Sequence, residues 1–330
     1  MKNTKQTTGK NYGEKLTREQ TYKIITQQII DALESNNVPW IKPWNQPKGA
    51  NARHHNAFTG RPYSRLNGLN LDIVKMVNGY TSNGWLTFHQ ATSKQLDENG
   101  APKGYGGIIK KGSKGTKVFF NKMIIIEVEE ENDRGELVKV EKPIWFPQLY
   151  TVFNVEQCEN ITLKKRELVD VLEAFKDFDP IEEAQAVLDG YKDRSGITYK
   201  EATGDSAYYV PTKDMVVLPK PKQFKSNQEF YTTAFHEFGH STGHSSRLNR
   251  FKNETKIAHF GSKDYSYEEL VAEFTACFVS QETGIADTRE NSVTYIKGWL
   301  KKLQSEPKWA VMASAQAEKA SNLILGIAKE

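Results

Sequence analysis

Three of the seven histidines of this chain lie within one stretch of sixteen residues, FHEFGHSTGHSSRLNR at positions 235–250. Residues four apart share a face of a helix, so His236 and His240 can direct two imidazoles at one point, with Glu237 beside them. This is the HExxH arrangement, in which two neutral imidazoles hold zinc and the glutamate polarises a water. The alternatives are a chance pentapeptide, or a helix whose histidines only cap and pack. We favour a hydrolytic metal site.

A catalytic zinc site needs a third protein ligand. The longer HExxHxxGxxH signature supplies a third histidine after a glycine turn. Here Gly243 stands where that glycine belongs, but the third position is Ser246. That route is closed unless His244, two residues early, turns inward.

The stretch YSYEELVAEFTACF, residues 265–278, offers a better third ligand because it has strong helical character. Glu269 and Glu273 are four apart and share a face, so one can bind the metal while the other accepts a hydrogen bond from a ligand imidazole. We assign Glu269 as the third ligand and Glu273 as that hydrogen-bond acceptor. Glu268, one position away, is expected to point elsewhere.

In the predicted reaction, Glu237 takes a proton from water and passes it to the leaving amine, as general base and then general acid. The extended stretch YYVPTKDMVVLP, residues 208–219, is predicted either to be an edge strand that aligns a peptide or to be an ordinary core strand. The sequence leaves four candidates for the oxyanion donor open: Tyr265, Tyr267, His244 and Arg247.

The two halves of the chain differ in net charge. Residues 1–125 carry 19 Lys and Arg against 7 Asp and Glu, a balance of +12, and the remaining 26 basic and 34 acidic residues give −8. This asymmetry predicts that the first half meets a polyanion. No apolar run approaches the roughly 20 residues of a membrane helix, the N-terminus lacks a signal-peptide pattern, and the two cysteines are far apart, so we expect a cytoplasmic protein without a membrane partner.

The elements that must position these residues also differ between the halves. Helical spacing follows Thr17, a predicted N-cap, and the chain then reads as strands separated by GSKG and NDRG turns. After about residue 156 most segments read as helices, with a short sheet. The sequence therefore predicts an α+β protein with a disordered tail at 1–14, one domain at 15–158 and a mostly helical domain at 159–330.

Single strands of nucleic acid are held by a positive groove and by aromatic rings on which bases stack. The first half has both kinds of residue. Candidate stacking residues are Trp40, Trp44, Tyr63, Trp85 and Phe88. Candidate phosphate partners are Arg61, Arg65, Asn67, Lys110, Lys111, Lys114 and Lys117. Tryptophans are more often core residues, and the loop around Asn67 can equally be plain turn chemistry.

Several motifs in order resemble the ArdC-type antirestriction proteins of mobile elements. In the first half these are VPWIKPWN, NAFTGRPYSRLNGLNL, GWLTFHQA, IKKGSKGTKVFF and YTVFNVEQ; in the second they are DMVVLP, FHEFGHSTGHSSRLNR and YSYEELVAE. The resemblance implies a single-stranded-DNA-binding domain followed by a zincin-like metallopeptidase domain. It also implies that His236, His240 and a glutamate of EELVAE hold a divalent metal, with Glu237 catalytic, and that the protein protects incoming DNA from restriction.

Two functions from different classes follow from these expectations. The first is a zinc peptidase, with Mn²⁺ or Co²⁺ as other possible ions, that binds single-stranded DNA and cleaves a protein such as a restriction subunit or a DNA-bound protein. The second is a protein that coats single-stranded DNA, with the metal domain structural or idle. A nuclease is disfavoured, because phosphoryl transfer prefers paired metals held by carboxylates.

Overall fold

The computed structural model describes residues 17–34, 53–131, 137–163, 180–251, 263–285 and 301–328. The predicted tail at 1–14 and the stacking candidates Trp40 and Trp44 lie outside these residues.

The first helix begins where the sequence predicts. The Thr17 hydroxyl accepts a hydrogen bond from the Gln20 N–H at 3.1 Å, and the Gln20 side chain accepts one from the Thr17 N–H at 2.7 Å. This reciprocal cap starts a helix by satisfying two backbone donors, and it confirms Thr17 as the N-cap. The helices of the first half are α1 (Arg18–Glu34), α2 (Arg65–Asn78) and α3 (Phe88–Thr92).

A four-stranded sheet of order β1-β2-β5-β4 forms the centre of the first half. Its strands are β1 (His55–Asn56), β2 (Gly84–Thr87), β4 (Thr116–Glu131) and β5 (Leu137–Asn154); β3 (Ile108–Ile109) and β6 (Cys158–Glu159) form a separate pair. Within β5, only residues 152–154 pair with β2, whereas the whole strand pairs with β4. The long β4–β5 pair therefore extends far beyond the end of β2. We call residues 120–131 with 137–148 the ribbon.

The second half is mostly helical around a small sheet of order β7-β9-β8. Its strands are β7 (Thr198–Ala202), β8 (Tyr208–Val210) and β9 (Met215–Pro219), and its helices are α4 (Pro180–Ser195), α5 (Asn227–Ser241), α6 (Lys263–Thr283) and α7 (Lys308–Leu325). The stretch 208–219 therefore supplies both an edge strand, β8, and the central strand, β9. The α+β prediction is confirmed. Among the described helices, none is long and apolar enough to cross a bilayer.

The two halves share one hydrophobic core. Ile29 of α1 and Leu69 of α2 pack in the same cluster as Phe274 and Phe278 of α6, and all four are fully buried. Burying one such side chain contributes about 1.5–3 kcal/mol. Helix α6 is therefore fixed by both halves, while the division at residues 158 and 159 stays a prediction.

Candidate metal centre

Helix α5 carries the HExxH residues on a well-capped framework. The Ser226 hydroxyl accepts a hydrogen bond from the Glu229 N–H at 3.2 Å and starts the helix, which continues to Ser241. The helical spacing then places His236 and His240 on one face. Their Nε2 atoms lie 3.1 Å apart.

Glu269 of α6 completes a group of three ligand-type side chains. One carboxylate oxygen lies 3.6 Å from His236 Nε2, and the other lies 3.4 Å from His240 Nε2. Each of the three residues offers one ligand atom within 4.8 Å of the other two. Two imidazoles and a carboxylate are a donor set that catalytic zinc sites use, with a position left for water. The residues therefore fit a divalent ion.

A glycine lets the two helices approach closely enough for this arrangement. A Cβ atom at Gly239 of α5 would meet the Ala272 Cα at 3.3 Å and the Thr275 Cβ at 3.2 Å. Those contacts are tighter than side chains normally make, so a larger residue would push α6 away. The backbones of α5 and α6 thus pass next to each other between His236 and His240, where Glu269 must reach across.

The other nitrogen of each histidine faces a second carboxylate. Glu273, one turn beyond Glu269, lies 3.4 Å from His236 Nδ1, and the hydrogen bond expected between them stays a prediction. Glu268 lies 3.3 Å from His240 Nδ1, so the expectation that it points elsewhere is wrong. Neighbouring positions on α6 diverge by about 100°, which lets Glu268 and Glu269 approach opposite sides of the His240 ring. Such partners fix the tautomer and orientation of a ligand imidazole.

Arg250 holds Glu268 in place. It donates from Nε to one Glu268 oxygen at 2.9 Å and from Nη2 to the other at 2.6 Å. The same guanidinium donates to the Gly239 carbonyl at 3.0 Å and to the Thr242 hydroxyl at 2.7 Å. Burial acts to raise the pKa of Glu268, but Arg250 and His240 outweigh it and lower the pKa overall. Glu268 is therefore a carboxylate that can accept a hydrogen bond from the Nδ1–H of His240.

Glu237 is buried beside the histidines, with 8% of its surface exposed. Burial raises the pKa of its carboxyl to about 7; Glu269 and Glu273 act in the same direction, whereas His240 and the Tyr209 N–H, which donates to the carboxylate, oppose it. The carboxyl group can therefore gain and lose a proton near neutral pH, as a general base and acid requires. The Tyr209 contact also places the edge strand β8 next to this carboxylate.

A partly buried ion pair connects the small sheet to the end of α5. Asp214, in the left-handed conformation with φ 44°, accepts two hydrogen bonds from Arg247 and one from the Tyr209 hydroxyl at 2.8 Å. Arg247 also donates to the Ser241 carbonyl at 2.9 Å. Burial acts to raise the pKa of Asp214, but the bonds from Arg247 and Tyr209 lower it overall. Sequence reasoning missed this pair, although two arginines after HExxH were its visible signal.

The candidates for an oxyanion donor have mostly other partners. Arg247 is bound to Asp214, and the ring of Tyr267 packs edge-on against Trp309 at 5.6 Å. His244 Nδ1 lies 2.8 Å from the Ser246 hydroxyl, and His244 is absent from the group formed by the three described ligand-type residues. The Tyr265 side chain falls outside the described part. His244 therefore does not replace the third histidine of the longer signature.

Four predicted DNA-binding residues are buried, so we correct their assignment. Trp85 is 0% and Tyr63 3% exposed, which leaves no ring face for a base. Arg65 donates to Glu282 at 2.8 Å and to Asn322 at 3.1 Å in the other half. The Asn67 side chain donates to the Phe119 carbonyl at 2.7 Å and accepts from the Phe119 N–H at 3.1 Å. These residues support the fold.

The other described candidates remain accessible. The exposed basic residues are Arg61, Lys110, Lys111, Lys114 and Lys117, and Phe88 exposes 61% of its surface. Two rings that the sequence reasoning missed are also exposed, Phe120 and Tyr150, which meet edge-to-face at 5.5 Å. These two rings lie in β4 and β5 at the start of the ribbon, and that position is what indicates their exposure.

Two family models match different parts of the chain. Residues 19–153 match the N-terminal domain of anti-restriction factor ArdC, and residues 186–316 match a zincin-like metallopeptidase. Two crystal structures of the antirestriction ArdC protein from the R388 plasmid resemble the chain. The metal-free one has a TM-score of 0.61 at 29% identity and covers 92% of this chain and 96% of its own. The Mn(II)-bound one has a TM-score of 0.62 at 27% identity, covering 93% and 97%.

Curated relatives extend the comparison to longer proteins. A DNA primase TraC of Escherichia coli is 33% identical over 320 residues, which cover 92% of this chain and 20% of the primase. The chain thus spans about a fifth of that relative. An uncharacterized protein, y4eC of Sinorhizobium fredii, is 26% identical over 90% of this chain and 89% of its own length. The similarity to this second relative runs along nearly the whole of both chains.

Proposed function

We propose that this chain, which belongs to the family of ArdC-type antirestriction proteins, binds single-stranded DNA through its basic first half. We also propose that it hydrolyses a protein at a divalent metal in its second half. The observation that carries the proposal is the group of His236, His240 and Glu269, whose ligand atoms lie within 4.8 Å of one another beside the buried Glu237. Those three residues would hold the ion, and zinc suits their nitrogen and oxygen atoms best.

The chemistry divides between the ion and the chain. A bound divalent ion supplies Lewis acidity toward water and a substrate carbonyl. Glu237, with its pKa near 7, accepts a proton at its carboxylate and returns it to the leaving amine. Glu273 and Glu268 keep the two imidazoles oriented through their Nδ1 atoms. An extended substrate would lie along the edge strand β8, whose Tyr209 N–H already contacts Glu237.

DNA would be held by the exposed basic loops of the first half. Lys110, Lys111, Lys114 and Lys117 lie at or near the turn between β3 and β4, where they can neutralise phosphates. Phe88, Phe120 and Tyr150 offer exposed rings on which bases can stack. The shared core then holds the DNA-binding half and the metal site in one unit.

A Glu237→Gln variant tests the peptidase function. It removes the base but keeps the size of the side chain and all three ligands, so metal content and DNA affinity should match wild type while hydrolysis is lost. The assay uses host restriction subunits as substrates, with and without single-stranded DNA. The control is a His236→Ala, His240→Ala variant, which should lose both metal and activity. Equal metal in this control and in wild type would remove the site assignment.

A second function is protection by coating the DNA, without catalysis. The chain resembles the metal-free and the Mn(II)-bound R388 structures equally well, with TM-scores of 0.61 and 0.62. A protein that only coats DNA would protect it from restriction without Glu237. Full protection by the Glu237→Gln variant in a recipient cell would therefore favour this function over the peptidase.

A further inference from the structure

The loop after α5 folds back onto the end of that helix. The backbone N–H groups of Arg250 and Phe251 both donate to the Gly243 carbonyl, at 2.9 and 3.3 Å. A Cβ atom at Gly243 would meet the Phe251 ring at 2.7 Å and Arg250 Nη2 at 3.1 Å. Glycine is therefore needed at this position because two side chains pack over it, and not for a turn toward a third histidine.

Phe251 connects the edge strand β8 with Arg250. Its ring lies nearly parallel to that of Tyr209 in β8, with the ring centres 6.4 Å apart and 25° between the planes. The guanidinium carbon of Arg250 lies 5.8 Å from the centre of the Phe251 ring, where an aromatic ring attracts a cation. An aliphatic side chain at this position would lose both contacts.

Arg250 carries this connection on to His240. Its two bonds hold both oxygens of Glu268, and Glu268 lies 3.3 Å from His240 Nδ1. The Arg250 side chain is only 7% exposed, so little water competes for these bonds. A displaced guanidinium would therefore release Glu268 and allow the imidazole of His240 to rotate.

Tyr209 is fixed at the other end of its side chain. Its hydroxyl donates to Asp214 at 2.8 Å, and Arg247 donates both to Asp214 and to the Ser241 carbonyl at the end of α5. The tyrosine ring is thus a fixed surface against which Phe251 packs.

We propose that Phe251 and Tyr209 are positioning residues of the metal site, which keep Arg250 and Glu268 against His240 and tie the edge strand β8 to that ligand. The proposal rests on the proposed function, since it requires His240 to bind the ion. An extended substrate that binds along β8 and moves the Tyr209 ring would then change the affinity for the ion. The ion would change the affinity for that substrate by the same factor.

Zinc affinity, measured by competition with a chelating dye, tests the role of Phe251. Phe251→Leu removes the ring, so we expect affinity to fall about tenfold, the lower end of the effect of groups that orient a ligand imidazole. The visible spectrum of bound Co²⁺ should change as well, because it reports the coordination geometry. The matched control is Phe224→Leu, which removes another partly buried ring, packed against Phe230 at 5.4 Å. It should lower the urea midpoint but leave zinc affinity and the cobalt spectrum unchanged.

A double variant tests whether Phe251 acts through Glu268. In a Glu268→Gln background, Phe251→Leu should cause no further loss of zinc affinity. An equal loss in both backgrounds would overturn the proposal. Wild-type affinity and spectrum in Phe251→Leu alone would overturn it too.

Two substitutions of Tyr209 keep the test independent of the folding of Phe251→Leu. Tyr209→Phe keeps the stacked ring and should retain most of the zinc affinity, whereas Tyr209→Leu should lose affinity as Phe251→Leu does. Equal affinities of the two Tyr209 variants would contradict a role of the ring. The His236→Ala, His240→Ala variant separates the two levels of the argument. If it binds zinc like wild type, the metal site and this inference both fail; if it loses zinc while Phe251→Leu binds normally, only this inference fails.

Discussion

The Gln281 side chain donates a hydrogen bond to Asp72 at 2.9 Å, and this bond joins the helix of the metal site to the first half of the chain. Asp72 also lies 3.0 Å from His54 Nε2, and Trp85 Nε1 donates to His54 Nδ1 at 2.8 Å. An indole can only donate, so His54 must accept at Nδ1 and donate from Nε2. Trp85 therefore belongs to a buried polar chain that reaches α6.

We expect Trp85→Phe to destabilise the protein by about 1–3 kcal/mol, because His54 loses the donor to its buried Nδ1. Affinity for single-stranded DNA should stay unchanged, since the Trp85 ring is 0% exposed. Urea unfolding and fluorescence anisotropy measure the two effects. The comparison is Phe88→Ala, an exposed ring, which should leave stability nearly unchanged and weaken DNA binding by about 1–3 kcal/mol. Weaker DNA binding by the folded Trp85 variant would contradict the buried assignment.

Glu268 and Arg250 should act on metal affinity as one unit. Glu268→Gln removes the carboxylate that faces His240 Nδ1, so we expect affinity to fall by about 10–100-fold. Arg250→Lys keeps the charge but loses the two-pronged contact, and it should weaken affinity in the same direction. The double variant should be little worse than Glu268→Gln alone, as competition with a chelating dye can measure. Additive losses would show that the two residues act separately.

Asp214→Asn should reveal a stability term that depends on pH. The pKa of Asp214 lies below its ordinary value of 3.8, so its pairing stabilises the fold above that pH and is lost as the pH falls through the folded pKa. Asparagine tolerates the same left-handed backbone, and losing the charge of this partly buried pair should cost about 1–3 kcal/mol. Thermal melts should therefore differ near pH 7 and converge as the pH falls through the folded pKa, which lies below 3.8. Exposed Asp205→Asn is the control, and a difference that persists in acid would contradict this account.

Replacing Lys110, Lys111, Lys114 and Lys117 by alanine should reduce the salt dependence of DNA binding. Each phosphate neutralised on a single strand contributes about 0.7 to the slope of log affinity against log salt, so four contacts contribute up to about 3. Anisotropy titrations at several salt concentrations measure the slope. The matched control replaces four exposed lysines of the second half, Lys213, Lys220, Lys222 and Lys225. An equal change in both variants would point to net charge instead of a binding surface.

The three ligand-type residues of the candidate site could be predicted from sequence because the spacing within each helix is local. His236 and His240 share a helix, and the spacing of Glu269 and Glu273 defines a face of another. The contact of Glu268 with His240 could not be predicted from sequence, because it depends on how α5 and α6 are rotated against each other at Gly239. That rotation is set by packing between distant segments.

The first half shows the same distinction between residue type and placement. A basic loop at residues 110–117 could be predicted as exposed from its glycines and lysines. Two features could not be predicted: Trp85 is buried, and the Asn67 side chain bonds the backbone of β4 at Phe119 where a neighbouring strand would otherwise pair. Both depend on contacts with residues more than thirty positions away. Residue type alone did not reveal which aromatic side chains face outward.

The common core of the two halves also bears on how the protein can be dissected. Phe274 and Phe278 pack against Ile29 and Leu69, so a fragment that starts at residue 159 would present these two rings to water. Such a truncated piece should aggregate or swap segments with its neighbours. Loss of activity in such a fragment would then reflect the broken core. Point substitutions in the whole chain are therefore the better way to separate the roles of the two halves.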